Sequence, residues 1–130
     1  MIGRLQVATV FVSDLDTAVD FYVNGLGFDV VADWRGDDGD RMVFTVPPGA
    51  ETEIGLYAAP AGDPRVGRST GLVFTADDIR ATVGEMRERG VTFTRDLVVH
   101  DYGEGDFPED DGDLEIEFVD PDGNSFLLHS

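Results

Sequence analysis

SDLDTAVDFYVNGLGF, residues 13–28, decides the fold, because an altered copy returns as ADDIRATVGEMRERGV at residues 76–91. Asp14-Leu15 recurs as Asp78-Ile79, 64 residues on, and Gly27-Phe28 recurs as Gly90-Val91, 63 residues on. A near-constant offset of half the chain describes one structural unit used twice, with a single-residue length change inside the copied helix. In the first copy Asp14 is placed to cap a helix whose inner face is Leu15, Ala18, Val19 and Tyr22, at i, i+3, i+4 and i+7 spacing. Gly25 and Gly27 stop it.

Strands are predicted around these helices. In the first module they fall at residues 5–12, 28–34, 41–46 and 53–57, with turns at RGDDGD (35–40) and PPG (47–49). An Ala-, Gly- and Pro-rich linker follows. The second module reads as a strand at 71–75 and a helix with Ile79, Val83 and Met86 inward. Further strands fall at 91–95, 96–102, 114–119 and 125–129. DPDG (120–123) is a hairpin turn, with Pro presetting φ and Gly supplying a positive φ. GEGDFPEDDGD (103–113) reads as a solvated loop. The fold class is therefore α+β, two tandem βαβββ modules in one domain spanning 1–130: module 1 at 4–57, linker at 58–69, module 2 at 70–130.

The chain holds 27 acidic residues against nine basic ones, for a net charge of −18. All nine bases are Arg. Such a surface repels itself until the Debye length falls to about 3 Å near molar salt. Hydrated Asp carboxylates without Lys are the pattern of proteins from salt-accumulating extreme halophiles, so the acidity is read as habitat rather than partner choice. No basic patch offers itself to nucleic acid. With no cysteine there is no disulfide framework or thiolate chemistry. Nor is there an apolar run of ~18 residues to span a membrane. The N-terminus reads as a strand rather than a signal peptide, and a soluble, cytoplasmic protein is expected.

Three segments in order, SDLDTAVDFYVNGLGF, GLVFTADDI and FVDPDGNSFLL, resemble the vicinal oxygen chelate superfamily over nearly the whole chain. That group includes glyoxalase I, extradiol dioxygenases, fosfomycin-resistance enzymes and bleomycin-binding proteins. The resemblance implies two modules forming a curved mixed sheet, a cup whose strands carry His or Glu metal ligands in the enzymes. Carried onto this chain, those ligand positions fall on Val7, Gly55, Gly71 and Leu127. A divalent metal needs three or four N or O donors converging at ~2 Å. These four residues supply none, so no metal or other cofactor is expected at the usual site.

Three alternatives use other residues. A relocated metal site could draw on Glu53, His100, Glu117 or His129, although His129 is expected to fray and Glu115 and Glu117 alternate outward as readily as inward. Glu53, His100 and Glu117 are the catalytic candidates of an enzyme reading, a glyoxalase- or dioxygenase-type lyase or oxidoreductase with relocated ligands or metal-free acid–base work. Arg41 or Arg95 could clamp a carboxylate or phosphate, but each is expected to pair with a neighbouring Asp.

Without a metal, the cup floor is expected to be Val7, Thr9, Gly55, Tyr57, Gly71, Val73 and Leu127, walled by Trp34, Phe44, Tyr102 and Phe118. The two glycines would leave volume for a small apolar or aromatic ligand, or these residues close the cup as core, as a structural or regulatory module would have it. The function expected is small-molecule binding, in a homodimer.

Overall fold

The structure, a computed structural model, describes residues 1–99 and 114–130. His100, Tyr102 and the 103–113 loop lie outside the described residues. The described residues form two compact units: residues 1–68 with 121–124, and residues 69–120 with 125–130. Two sequence modules reappear as two mixed sheets, each with its own helix.

In the first unit the elements are β1 (Val7–Val12), α1 (Leu15–Asp20), β2 (Asp29–Arg35), β3 (Arg41–Val46) and β4 (Glu53–Ala58). The sheet runs β1-β4-β3-β2, with β1 and β4 parallel and the other pairs antiparallel. Strand alternation sends Val10, Val12, Val43, Ile54 and Leu56 into the core, where Leu15, Ala18 and Tyr22 are also buried. Thr45 joins them because its hydroxyl donates to the Ile54 carbonyl at 2.9 Å, leaving no unmet polar group. Leu5, predicted within the first strand, is exposed and precedes it.

The repeat is visible in the caps. Asp14 accepts from the Thr17 amide at 2.9 Å and Asp78 from the Ala81 amide at 3.1 Å, each from an extended backbone. That bond is the main cause holding the Asp14 carboxyl below its ordinary pKa. At the far ends, Gly27 and Gly90 both take positive φ, 78° and 87°. The extra residue of the first copy is absorbed between these fixed points as a π-helical turn over Phe21–Gly25, where the Leu26 amide donates to the Phe21 carbonyl five residues back at 3.0 Å. In the second copy α2 (Ile79–Glu88) is regular.

The second unit adds β5 (Ser69–Thr75), β6 (Thr92–Phe93), β7 (Val98–Val99), β8 (Leu114–Val119) and β9 (Ser125–His129). Its sheet runs β5-β9-β8-β6, with β7 also paired to β8. The strand predicted at 91–95 is thus only two residues long. Its core is aromatic: Phe118 stacks on Phe126 with ring centroids 5.3 Å apart, and Phe74 and Phe93 both lie 6.3 Å from Phe118. Among the described residues no helix is long and apolar enough to cross a membrane.

Candidate functional site

Opposite the buried face of the first sheet lies an open one, and register fixes its membership. Phe11 pairs with Tyr57, Tyr57 with Met42, and Met42 with Trp34, so these four side chains form a row across all four strands. A second row, Thr9, Gly55, Phe44 and Ala32, runs beside it. Val7 and Glu53 pair at the next position. The open face thus gathers six of the expected ligand-binding residues: Val7, Thr9, Trp34, Phe44, Gly55 and Tyr57. Trp34, the chain's single tryptophan, is 52% exposed on the edge strand β2. A register shift between Val30 and Ala32 bends that edge, a common device against edge-to-edge pairing.

Two expectations need correction. Gly55 does not open volume: the Met42 methyl lies over it, and a Cβ there would also sit 3.0 Å from Val7 Cγ1. The glycine marks a close approach, and Met42 occupies the space. Phe118 is not a wall either. It is 2% exposed, with the parity of Leu114 and Ile116, on the buried face of the second sheet.

On the open side of that second sheet, Val73 pairs with Leu127, Leu127 with Glu117, and His129 with both Thr75 and Glu115. His129 is a half-buried residue of β9; its Nδ1 lies 2.7 Å from the Ser130 carbonyl. Gly71 has nothing within 4 Å, but its φ of +72° belongs to a register break between Ser69 and Val73. Its backbone conformation explains the glycine. Glu117 accepts from the Thr94 hydroxyl and from Arg95 Nη2, both at 2.6 Å, and these bonds hold its carboxyl below the ordinary range. Arg95, Val98, Glu115, Glu117 and Leu127 line a shallow pocket there.

Of the two candidate clamps, Arg41 is engaged by Asp33 at 2.8 Å and Asp16 at 3.2 Å, and Arg95 by Glu117 rather than an Asp. Glu53 belongs to the first unit, Glu117 and His129 to the second. Among the described residues no three His, Cys, Asp or Glu side chains are grouped so as to hold a metal ion.

Phe11, Met42 and Arg65 were not singled out by the sequence. Phe11 meets Tyr57 edge-on with centroids 6.0 Å apart, and the Arg65 guanidinium carbon lies 4.0 Å from the Phe11 ring centroid. Alternation from Thr9 and Val7 places Phe11 on the open face, a signal that was available. At this end the Tyr57 hydroxyl lies 3.4 Å from Asp40 Oδ1.

With two mixed sheets of this topology, each with a capped helix directly after its first strand, the chain is a vicinal-oxygen-chelate-type protein. Residues 4–128 match the model of the Glyoxalase/Bleomycin resistance protein/Dioxygenase superfamily, and the chain belongs to that family. It is similar to the crystal structure of a superfamily member from Sphaerobacter thermophilus, 37% identical, with a TM-score of 0.82 and 98% of this chain and 97% of that one covered. TnmS3, an antibiotic binding protein from Streptomyces sp. CB03234, is 35% identical, with a TM-score of 0.73 and coverage of 98% and 95%. The uncharacterized protein YetH of Bacillus subtilis is 28% identical over 128 residues, 98% of each chain.

Proposed function

We propose that this protein binds a small apolar or aromatic molecule and does so without the metal that serves the family's enzymes. The observation that carries the reading is the continuous row Phe11–Tyr57–Met42–Trp34 on an open sheet face. Rows of large apolar side chains are ordinarily buried; this one is half-buried at Phe11, Tyr57 and Met42 and exposed at Trp34, which supports a binding surface. TnmS3, an antibiotic binding protein to which this chain is similar, supports a small-molecule-binding role. Val7, Gly55, Gly71 and Leu127, the positions of the family's metal ligands, carry no donor atom and do not fit a metal. A homodimer in a cytoplasm rich in salt completes the proposal, the latter motivated by the net charge of −18.

Two measurements test it. Elemental mass spectrometry on untagged protein purified in molar KCl without chelators should find far less than one equivalent of transition metal; a full equivalent would overturn the metal-free reading. Titration with 2-methylnaphthalene should change Trp34 emission saturably, and Tyr57→Ala should weaken that binding about tenfold. No saturable response would refute ligand binding on this face.

A further inference from the structure

The segment between the two sheets was expected to act as a linker only. Within it, Asp63 accepts three hydrogen bonds from Arg65: from the backbone amide at 2.9 Å, from Nε at 3.0 Å and from Nη2 at 2.7 Å. These bonds, the side-chain ones foremost, hold the Asp63 carboxyl down at about 2. The Asp63 side chain is 10% exposed, while that of Arg65 is 53% exposed. The carboxylate is therefore covered by the guanidinium it grips, and the guanidinium is open to solvent. Its central carbon lies 4.0 Å from the centroid of Phe11, at the end of the row. Merely shielding Phe11 would need only the aliphatic stem. Here the rigid head lies on the ring, with two of its nitrogens committed to Asp63 and Nη1 making no hydrogen bond among the described residues.

We propose that Arg65 determines specificity on the open face of the first sheet, donating from Nη1 to a neutral acceptor oxygen carried by a planar aromatic ligand. The inference rests on the ligand-binding reading above. The acceptor is neutral because Asp63 already balances the Arg65 charge and Asp40 lies 3.4 Å from the hydroxyl of Tyr57, the next side chain in the row. A ligand carboxylate would meet those two acids, whereas an amide, ketone or phenol oxygen accepts the same hydrogen bond without repulsion. A planar aromatic ring suits the site because the guanidinium, held by Asp63 over Phe11, is continued by the row of Tyr57, Met42 and Trp34.

The experiment compares three probes of one shape, 2-naphthamide, 2-naphthoate and 2-methylnaphthalene, by Trp34 emission. The native protein should bind the amide about tenfold more tightly than the methyl compound, the effect of one hydrogen bond from a charged donor. The naphthoate should bind no more tightly than the amide. Arg65→Met, which keeps an unbranched apolar stem, should bring amide and methyl affinities within about twofold of each other. Arg65→Lys should recover part of the preference, having a donor but no fixed plane. An amide preference that survives Arg65→Met, no amide preference in the native protein, or a tighter naphthoate would overturn the proposal with ligand binding intact. Absence of any saturable response in the native protein would instead remove the ligand-binding reading and the proposal with it.

Discussion

Replacing Asn124 by Ala cuts at least three hydrogen bonds at once. The side chain is 1% exposed; its Oδ1 accepts from the Gly67 amide at 2.8 Å and the Arg68 amide at 3.3 Å, and its Nδ2 donates to the Phe11 carbonyl at 2.9 Å. The two short bonds each contribute about 1 kcal/mol and the long one less, so the expected loss is about 2–3 kcal/mol. With an unfolding entropy near 2.1 cal/mol/K per residue, a 130-residue chain should melt about 7–11 °C lower. Thermal unfolding by circular dichroism in molar KCl measures the shift, and amide exchange at Gly67 should speed up before global unfolding. Asn124→Asp sharpens the test. It keeps the acceptor for Gly67 but turns the other oxygen on the Phe11 carbonyl, so it should cost at least as much as Ala at neutral pH. It should recover part of that loss in acid, where a protonated carboxyl can donate. A melting temperature within about 2 °C of native for Asn124→Ala would refute the assignment of this side chain as the bond between β1 and residues 67–68.

Gly90→Ala should cost about 1–2 kcal/mol, read by chemical denaturation, entirely from backbone: φ is +87° and nothing lies within 4 Å of a new Cβ. Asp63, depressed to about 2 from 3.8, contributes stability that is complete above the higher value and is lost as pH falls toward the lower one. A carboxyl carbon NMR titration should find it ionised at about pH 3, and Arg65→Met should return its midpoint toward the ordinary value. Raising KCl from about 0.1 to 1 M, which cuts the Debye length from about 10 to 3 Å, should raise the melting temperature by several degrees; a fall would contradict self-repulsion as the dominant charge effect.

Much of the fold was legible because the repeat constrains it twice. Asp14 and Asp78, and Gly27 and Gly90, are spaced differently by one residue, and the π-helical turn at Phe21–Gly25 is where that residue went. Period-2 alternation then assigns faces, and it gives the right parity for Glu115 and Glu117 against Ile116 and Phe118. Phe118 was expected in a wall because its aromatic ring outweighed its parity; burial follows parity. Gly55 was ambiguous for a physical reason, since a strand glycine marks either a vacancy or a close approach, and only the cross-strand neighbour Met42 decides which. Arg65 was hidden by its surroundings. An Ala-, Gly- and Pro-rich segment reads as punctuation, and nothing in its composition reveals that Asp63 pins a guanidinium onto Phe11, some fifty residues earlier.

The Asp120-Pro121-Asp122-Gly123 turn joins strands of the second sheet, yet residues 121–124 belong to the first unit, where Asp122 also accepts from the Ser13 amide at 2.9 Å. On the ribosome the consequence is one of timing. Chains emerge N-terminus first at about 5–20 residues per second. Residues 1–68 leave the exit tunnel without the asparagine that satisfies Phe11, Gly67 and Arg68, and it arrives 56 residues after the last of them. The half made first is thus completed only after residue 124 has emerged.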